Sequence, residues 1–232
     1  MSQITLLTGP EGFRGNELRV EGEPYKHLFR ARRLGVGDRL RVVDGQGRAR
    51  WAEVAKVDRA SATLALGEPA PAGEPACRLE LLMPTCRLER ASWVAEKATE
   101  LGVSAIRFLN TERAPRHFGE GALGRLRRVT AAALEQCHGS RLPEITGPHE
   151  WEELASLSAR AESRWFLDTQ EAVADWGPLG KTGALLIGPE GGWSPGERRQ
   201  LLDAGWRPIG LGPRILRLET AAVVGAAMLL LR

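Results

Sequence analysis

The sequence predicts an α/β fold, a parallel sheet with helices on both faces, preceded by a small β-barrel. Three observations support this prediction. Residues 67–75 contain three prolines and two glycines, a composition that neither a helix interior nor a central strand accepts, so they divide the chain. Short strand candidates joined by tight turns come before this linker. After it, apolar strands alternate with amphipathic helices, as in parallel sheets that are buried on both faces.

The first part, residues 1–73, predicts the barrel. Residues 39–42 alternate basic and apolar side chains, and residues 44–47 (Asp-Gly-Gln-Gly) predict a hairpin turn. Two more strands are predicted, one at residues 48–57 and one at residues 62–66, where apolar side chains occupy every second position.

The second part, residues 74–232, predicts alternating strands and helices. Short apolar runs predict strands at 79–83, 106–109, 165–167, 184–187 and 208–211. Helices are predicted at 87–101, at 122–137, from Ser194 to about Gly205, and at 220–231. Gly102 is placed to end the first of these helices, and Ser194-Pro195-Gly196-Glu197 is a capping box that begins the third.

Composition narrows the class of protein. Three cysteines without a CxxC pair predict neither a disulfide framework nor a zinc site, and the longest apolar run has eleven residues, too few to span a bilayer. Neither a signal peptide nor a metal is expected, and a cytoplasmic location is predicted. The net charge is only +3, but residues 26–41 carry six basic residues and one acid. Such a cluster suits a phosphate backbone, although a solvated basic face is an equally good interpretation.

Two glycine-containing loops follow predicted strands near the C-terminus. The first is Gly188-Pro-Glu-Gly-Gly192, and the second is Leu211-Gly-Pro-Arg-Ile-Leu-Arg-Leu-Glu-Thr-Ala221. In open α/β sheets ligands bind beyond the carboxyl ends of strands, and glycine lets the backbone approach a ligand closely. Neither loop is a P-loop or a GxGxxG motif, so a phosphate-binding role is not favoured, and each loop alone could be a simple tight turn.

The two loops together resemble the SPOUT superfamily of RNA methyltransferases, and more narrowly the RsmE family, which methylates N3 of a uridine in small-subunit ribosomal RNA. The resemblance extends to residues 27–33 (His-Leu-Phe-Arg-Ala-Arg-Arg), 97–103, 111–113 (Thr-Glu-Arg) and 135–137. It implies a PUA-like RNA-binding barrel at 1–73 and a SPOUT methyltransferase domain with a trefoil knot at 74–232. It also implies S-adenosylmethionine as cofactor, and a homodimer in which the final helix is either core or interface.

Carried onto this chain, the resemblance gives a set of cofactor-binding residues in the two loops and at their edges. They are Leu186, Ile187, Gly188, Pro189, Glu190, Gly191, Gly192, Leu211, Gly212, Arg214, Ile215, Leu216 and Leu218.

Chemistry at uracil N3 suggests four catalytic candidates. A cation near a uracil oxygen stabilises the developing anion, and Arg217 or Arg141 could supply it. Glu190 or Glu219 could accept the proton, directly or through water. Three of these residues also have a purely structural interpretation. Glu219 could serve only to stabilise the N-terminus of the last helix through the helix dipole, Arg217 could form an ion pair with Glu219, and Glu190 could serve only to orient its loop. Arg141 is a candidate because residues 137–141 (Cys-His-Gly-Ser-Arg) depart from the Gly-Arg step of the family pattern.

The expected partner is 16S ribosomal RNA, within an assembled small subunit, with no DNA and no membrane. Predicted RNA-binding residues are Arg30, Arg32, Arg33, Arg113 and Arg116. Tyr25 and Phe29 could stack on bases, or could belong to the core. Two other functions remain open: a SPOUT methyltransferase acting on a ribose 2′-hydroxyl or guanine N1, and a non-enzymatic RNA-binding assembly factor.

Overall fold

The computed structural model describes residues 4–114, 118–119, 121–171, 176–177 and 180–231. The chain forms two compact units, of which the first contains the residues up to Glu74 together with Leu134–Leu142. The second contains Pro75–Ala133 and the residues from Pro143 onward. The division therefore falls between Glu74 and Pro75, within the predicted linker, except that nine residues from the middle of the chain also belong to the first unit.

The first unit is built on one five-stranded sheet that curls into a half-barrel. Its strands are β1 (Thr5–Leu7), β2 (Glu17–Glu21), β3 (Arg39–Val43), β4 (Ala49–Val57) and β5 (Ser61–Pro69). Their order in the sheet is β1-β3-β4-β5-β2, with β1 parallel to β3 and the other pairs antiparallel. The predicted strands at 39–42, 48–57 and 62–66 are confirmed. The short β1 and the largely charged β2 were not predicted.

Three short helical segments accompany this sheet. They are a 3-10 turn (Pro10–Phe13), α1 (Gly22–Tyr25) and a π-helical segment (Lys26–Ala31). Tyr25 and Phe29 lie on these segments, and both are buried in the core of the unit. Their rings stack with centroids 5.3 Å apart, and the Tyr25 hydroxyl donates to the carbonyl of Asp58. Of the two interpretations of these aromatics, the structure supports core packing.

The predicted turn at Asp44 joins β3 to β4. The Asp44 carboxylate is buried, and it accepts hydrogen bonds from the backbone amides of Gln46 and Arg48 and from the Arg48 guanidinium. Burial alone would raise the pKa of Asp44, but the hydrogen bonds from Arg48 and Gln46 outweigh it, so that the pKa lies below its ordinary value. The ionised side chain therefore stabilises the turn.

Because the pKa of Asp44 is depressed on folding, its contribution to stability is present above the unfolded value of about 3.9 and is lost as pH falls through the folded value. We expect the difference in unfolding free energy between the protein and its Asp44→Asn variant to shrink as pH falls from about 6 to about 3. Urea unfolding across that range measures it. A difference that stays constant with pH would contradict the prediction.

Arg41 on β3 is a buried arginine with its donors directed to backbone carbonyls. Its side chain is 2% exposed, and the guanidinium donates to the carbonyls of Pro71, Ala72, His138 and Gly139 at 2.7–3.2 Å. Burial lowers the pKa of Arg41 below its usual value, while the nearby charge of Glu74 opposes this shift. Although Arg41 lies in the basic cluster of the sequence, its guanidinium is committed to joining residues 71–72 to residues 138–139 within the first unit.

The second unit contains an entirely parallel sheet, as predicted, and this sheet has six strands, one more than the sequence predicts. Its strands are β6 (Arg78–Pro84), β7 (Ala105–Leu109), β8 (Glu144–His149), β9 (Ser163–Leu167), β10 (Thr182–Leu186) and β11 (Arg207–Ile209). Their order is β11-β9-β10-β6-β7-β8. The edge strand β8, which contains Gly147 and Pro148, was not predicted because it has no apolar run.

Helices cover both faces of this sheet. They are α2 (Leu88–Leu101), α3 (Ala122–Cys137), α4 (Leu154–Leu157), α5 (Pro195–Asp203) and α6 (Leu218–Leu230), with a 3-10 turn (Trp151–Glu153) before α4. Residues of α2, α3 and α6 share one core with Leu79, Leu81 and Met83 of β6, while α4 and α5 pack with Leu82 on the other face. The alternation along β6 thus divides the sheet into two cores.

Two predicted helix ends are confirmed, the C-terminal end of α2 and the N-terminal end of α5. Gly102, with φ +82°, follows α2 in the left-handed conformation, and Ser194 and Glu197 form the capping box of α5. Gly225 of α6 lies so close to the sheet that a Cβ there would be 2.8 Å from Leu185 Cδ2. Among the described residues, no helix combines the length and apolar character needed to cross a membrane. The predicted knot stays a prediction.

Candidate active site

A cavity of about 520 Å³ lies beyond the carboxyl ends of β9, β10 and β11, which are neighbours in the sheet. Its walls come from three loops, residues 167–170, 187–193 and 211–217, with Arg113, Ile209, Leu218 and Ala221. We call it the three-loop cavity; all of its lining residues belong to the second unit. Its volume and its position at the strand ends are those of a small-molecule site in an α/β protein.

The loop after β10 needs glycine for reasons visible in its packing. Trp193 is buried, and its indole N–H donates to the carbonyl of Leu167 at 2.8 Å. A Cβ on Gly188 would lie 3.1 Å from the Trp193 ring, and Gly192 has φ +67°. Trp193 thus fixes the loop after β10 to the end of β9, and the absence of a side chain at residue 188 permits this contact.

The loop after β11 exposes both backbone and side chains to the cavity. Gly212 has φ +114°, a conformation that side chains strongly disfavour. Ile215 is 87% exposed although it is apolar. Leu218 is buried at the start of α6, where the loop ends. Gly212 therefore makes the turn after β11, and Ile215 presents an apolar surface where a ligand can cover it.

Charged groups cluster at one side of this site. Arg90 of α2 forms an ion pair with Glu190, which lines the cavity. The pKa of the Cys86 thiol is raised to about 11, mainly by burial; Arg90 opposes the rise, and the charges of Glu219 and Glu190 add to it. Cys86 is therefore a neutral thiol at neutral pH. The Oε2 atom of Glu219 is buried and makes no hydrogen bond within the described part of the chain.

The structure brings most of the predicted residues together. Every predicted cofactor-binding residue except Leu186 lines the three-loop cavity, and Leu186 is a buried member of β10. Of the catalytic candidates, Glu190 and Arg217 line the cavity. Glu219 lies in the first turn of α6 beside this site and is not a lining residue. Arg141 belongs to the first unit, where its backbone bridges to Gly45 and Gln46.

Comparisons with known proteins place the chain in a family. A family model described as "RNA methyltransferase domain" matches residues 73–230, and one described as "RNA methyltransferase PUA domain" matches residues 20–66. The ribosomal RNA small subunit methyltransferase E of Mycobacterium bovis is 30% identical over 226 residues, which cover 88% of this chain and 82% of that protein. The chain belongs to the ribosomal RNA small subunit methyltransferase E family. The PUA match also supports the predicted character of the half-barrel.

Two further relatives of this methyltransferase cover nearly its whole length. The family member of Synechocystis is 27% identical over 97% of this chain and 76% of that protein. A methyltransferase structure from Legionella pneumophila, solved in complex with the bound cofactor S-adenosylmethionine, aligns with a TM-score of 0.82 and 26% identity. That alignment covers 99% of this chain and 97% of the other.

Sequence analysis of the methyltransferase assigned Arg113 to RNA rather than to this cavity, and it missed several lining residues, among them Leu167, Ile209, Asp168, Thr169 and Gln170. The last three follow β9, and the rule that ligands bind at the carboxyl ends of strands could have found them. Asp168 is buried and accepts hydrogen bonds from the Arg198 guanidinium at 2.7 Å and from the Gln170 amide at 3.0 Å. Its carboxylate orders the short loop that forms the third wall.

The predicted RNA-binding residues of the methyltransferase lie in three places. Arg30, Arg32 and Arg33 are exposed on or just after the π-helical segment, where Arg30 donates to the Arg59 carbonyl. Arg113 lines the three-loop cavity. Arg116 lies outside the described residues. The RNA-binding role of all five stays a prediction.

No metal site accompanies these residues within the described ranges: no group of three or more His, Cys, Asp or Glu side chains is placed to hold an ion.

Proposed function

We propose that this protein transfers the methyl group of S-adenosylmethionine to N3 of a specific uridine in 16S ribosomal RNA. The observation that carries the proposal is the three-loop cavity, whose lining contains both glycine loops that the sequence assigns to the cofactor. The family to which the chain belongs, and the bound cofactor of the Legionella relative, support it. The reaction would take place in the cytoplasm on an assembled small subunit.

The residues of the cavity suit this cofactor. The molecule combines an adenosine with an amino acid and a positively charged sulfonium, so it needs backbone groups for its base and charges of both signs for the rest. The glycine loops leave main-chain groups accessible, Glu190 and Asp168 supply carboxylates, and Arg214 and Arg217 supply cations. When bound, the cofactor supplies an electrophilic methyl group on sulfur.

The protein must then hold the uracil ring with N3 toward that methyl group and remove the N3 proton. Orientation is the main requirement, because a sulfonium methyl group needs little further activation. Arg217, which lines the cavity, is the candidate to stabilise negative charge on a uracil oxygen. Glu190 and Glu219 are the candidates to accept the proton. Glu190 lines the cavity but already pairs with Arg90. The buried Oε2 of Glu219 has no hydrogen-bond partner among the described residues, and because Glu219 does not line the cavity it would accept the proton through water.

We also propose that the protein acts as a homodimer. Trp93 of α2 is 43% exposed and Met228 of α6 is 39% exposed, and α2 and α6 pack against each other. Large apolar side chains left at the surface of paired helices favour burial against a second copy. Light scattering measures the oligomeric state, and a monomer at micromolar concentration would contradict this part of the proposal.

The test of the reaction is direct. The protein is incubated with isotopically labelled S-adenosylmethionine and small ribosomal subunits from a strain that lacks the modification, and the labelled nucleoside is identified by mass spectrometry. We expect N3-methyluridine at a single site. A 2′-O-methylated nucleoside or N1-methylguanosine would contradict the proposed specificity, and absence of cofactor binding would favour an RNA-binding assembly factor.

A further inference from the structure

The segment 111–113 (Thr-Glu-Arg) is joined by hydrogen bonds to the second half of the loop after β10 and to the helix that follows this loop. The Arg113 guanidinium Nη1 donates to the carbonyl of Gly191 at 2.9 Å and to that of Trp193 at 3.3 Å. The backbone amide of Glu112 donates to the carboxylate of Glu197 at 2.9 Å. A segment that follows β7 thus holds a loop that follows β10.

Glu197 makes this connection rigid. It is only 6% exposed, and its other oxygen accepts a hydrogen bond from the Ser194 amide in the capping box of α5. Both carboxylate oxygens are therefore used, one by the segment 111–113 and one by the end of the loop. The backbone of residue 112 is fixed, and Arg113 extends from it toward the cavity.

The aliphatic part of Arg113 also packs on the loop. A Cβ added to Gly191 would lie 3.2 Å from Arg113 Cβ and 3.3 Å from its Cδ, so the side chain lies directly on the glycine. The loop has three glycines in five residues, and glycine loses more conformational freedom on ordering than any other residue. The contacts from Arg113, which we call the Arg113 clamp, therefore have a large effect on the fraction of molecules whose loop is ordered for binding.

We propose that Arg113 is a positioning residue for cofactor binding: it orders the loop Gly188–Trp193 through the carbonyls of Gly191 and Trp193 before the cofactor enters. This assignment differs from the phosphate contact predicted for Arg113 from the sequence. It rests on the proposed function, because the ligand concerned is S-adenosylmethionine. Preorganisation of a site raises affinity by reducing the ordering that binding must otherwise bring about.

The experiment compares Arg113→Gln and Arg113→Lys with Arg125→Gln, a matched control at an exposed arginine of α3. Calorimetry measures the Kd for S-adenosylmethionine, and filter binding measures the Kd for small-subunit RNA. Arg113→Gln should raise the cofactor Kd about tenfold and change the RNA Kd less than twofold. Arg113→Lys should behave nearly as Gln, because the lysine side chain is one bond shorter and its ammonium falls short of the two carbonyls that Nη1 of Arg113 reaches. The control Arg125→Gln should leave both the cofactor Kd and the shape of the cofactor binding curve unchanged.

A second readout needs no ligand. Hydrogen exchange of the peptide that covers residues 188–194 should be faster in Arg113→Gln than in the unmodified protein, and unchanged in Arg125→Gln. An unchanged cofactor Kd with a raised RNA Kd, rescued by lysine, would overturn the proposal in favour of a phosphate contact. If the unmodified protein did not bind S-adenosylmethionine, the proposed function would fail. Independently of that result, unchanged hydrogen exchange of residues 188–194 in Arg113→Gln would show that Arg113 does not order the loop.

Discussion

Replacing Gly188 with valine is expected to lower the affinity for S-adenosylmethionine by about 5- to 150-fold, the range that corresponds to overpacking costs of about 1–3 kcal/mol. A Cβ at residue 188 would already lie 3.1 Å from the Trp193 ring. The Trp193 ring cannot move away without breaking the hydrogen bond from its N–H to the Leu167 carbonyl. Two more methyl groups would move Trp193 away from this bond and narrow the cavity, so both loops that meet at this point would be displaced.

The measurement is the cofactor Kd by calorimetry, with Gly196→Ala as the control. Gly196 lies in the first turn of α5, where an added Cβ would meet only Ser194 Oγ at an ordinary 3.7 Å. Alanine there should bind the cofactor as the unmodified protein does. If Gly188→Val also bound normally, the loop would not form the cofactor wall. The melting temperatures of both variants show whether a loss of binding is local or follows from unfolding.

Replacing Arg41 with methionine is expected to destabilise the protein by about 3–5 kcal/mol, the cost of removing one partner from a buried charged network. The variant leaves the carbonyls of residues 71, 72, 138 and 139 without their donor, and buried acceptors without partners are costly. Methionine has a similar length, so the loss reflects hydrogen bonding more than a cavity.

Arg39→Met is the matched control, since Arg39 lies two residues away on the same strand and is exposed. Its ion pair with Glu68 has a separation of 3.9 Å between exposed groups, which contributes about 0–1 kcal/mol. Thermal unfolding measures both variants. Hydrogen exchange should increase in peptides that cover residues 70–74 and 138–142 only in Arg41→Met. Equal destabilisation by the two substitutions would refute the structural role of Arg41.

Local patterns in the sequence were sufficient to predict most of the secondary structure and the parallel sheet. The parallel sheet, its main helices and their caps follow from apolar periodicity and from residues such as Gly102 and Ser194, whose effect on the backbone is local. The short β1 and the edge strand β8 were missed because strands of this kind are stabilised by pairing with distant strands, β3 and β7, and leave little local pattern.

The candidate site divides in the same way. The two glycine loops were found because their composition and their place after strands are visible in the chain, and most of the predicted cofactor residues line one cavity. Asp168 and its neighbours have no such composition, and only the order β11-β9-β10 brings their loop between the other two.

By itself, then, the sequence determined the fold class, the family and the two glycine loops. The tertiary structure decided what each arginine does. Arg41, Arg113 and Arg30 have the same side chain, yet the first is buried among carbonyls, the second holds a loop, and the third is exposed. A guanidinium donates to whichever acceptors the fold places within about 3 Å of it, and those acceptors come from residues up to 98 positions away. Neither the composition nor the spacing of residues shows which distant acceptors come close to a given arginine. Only the folded chain therefore shows what each arginine does.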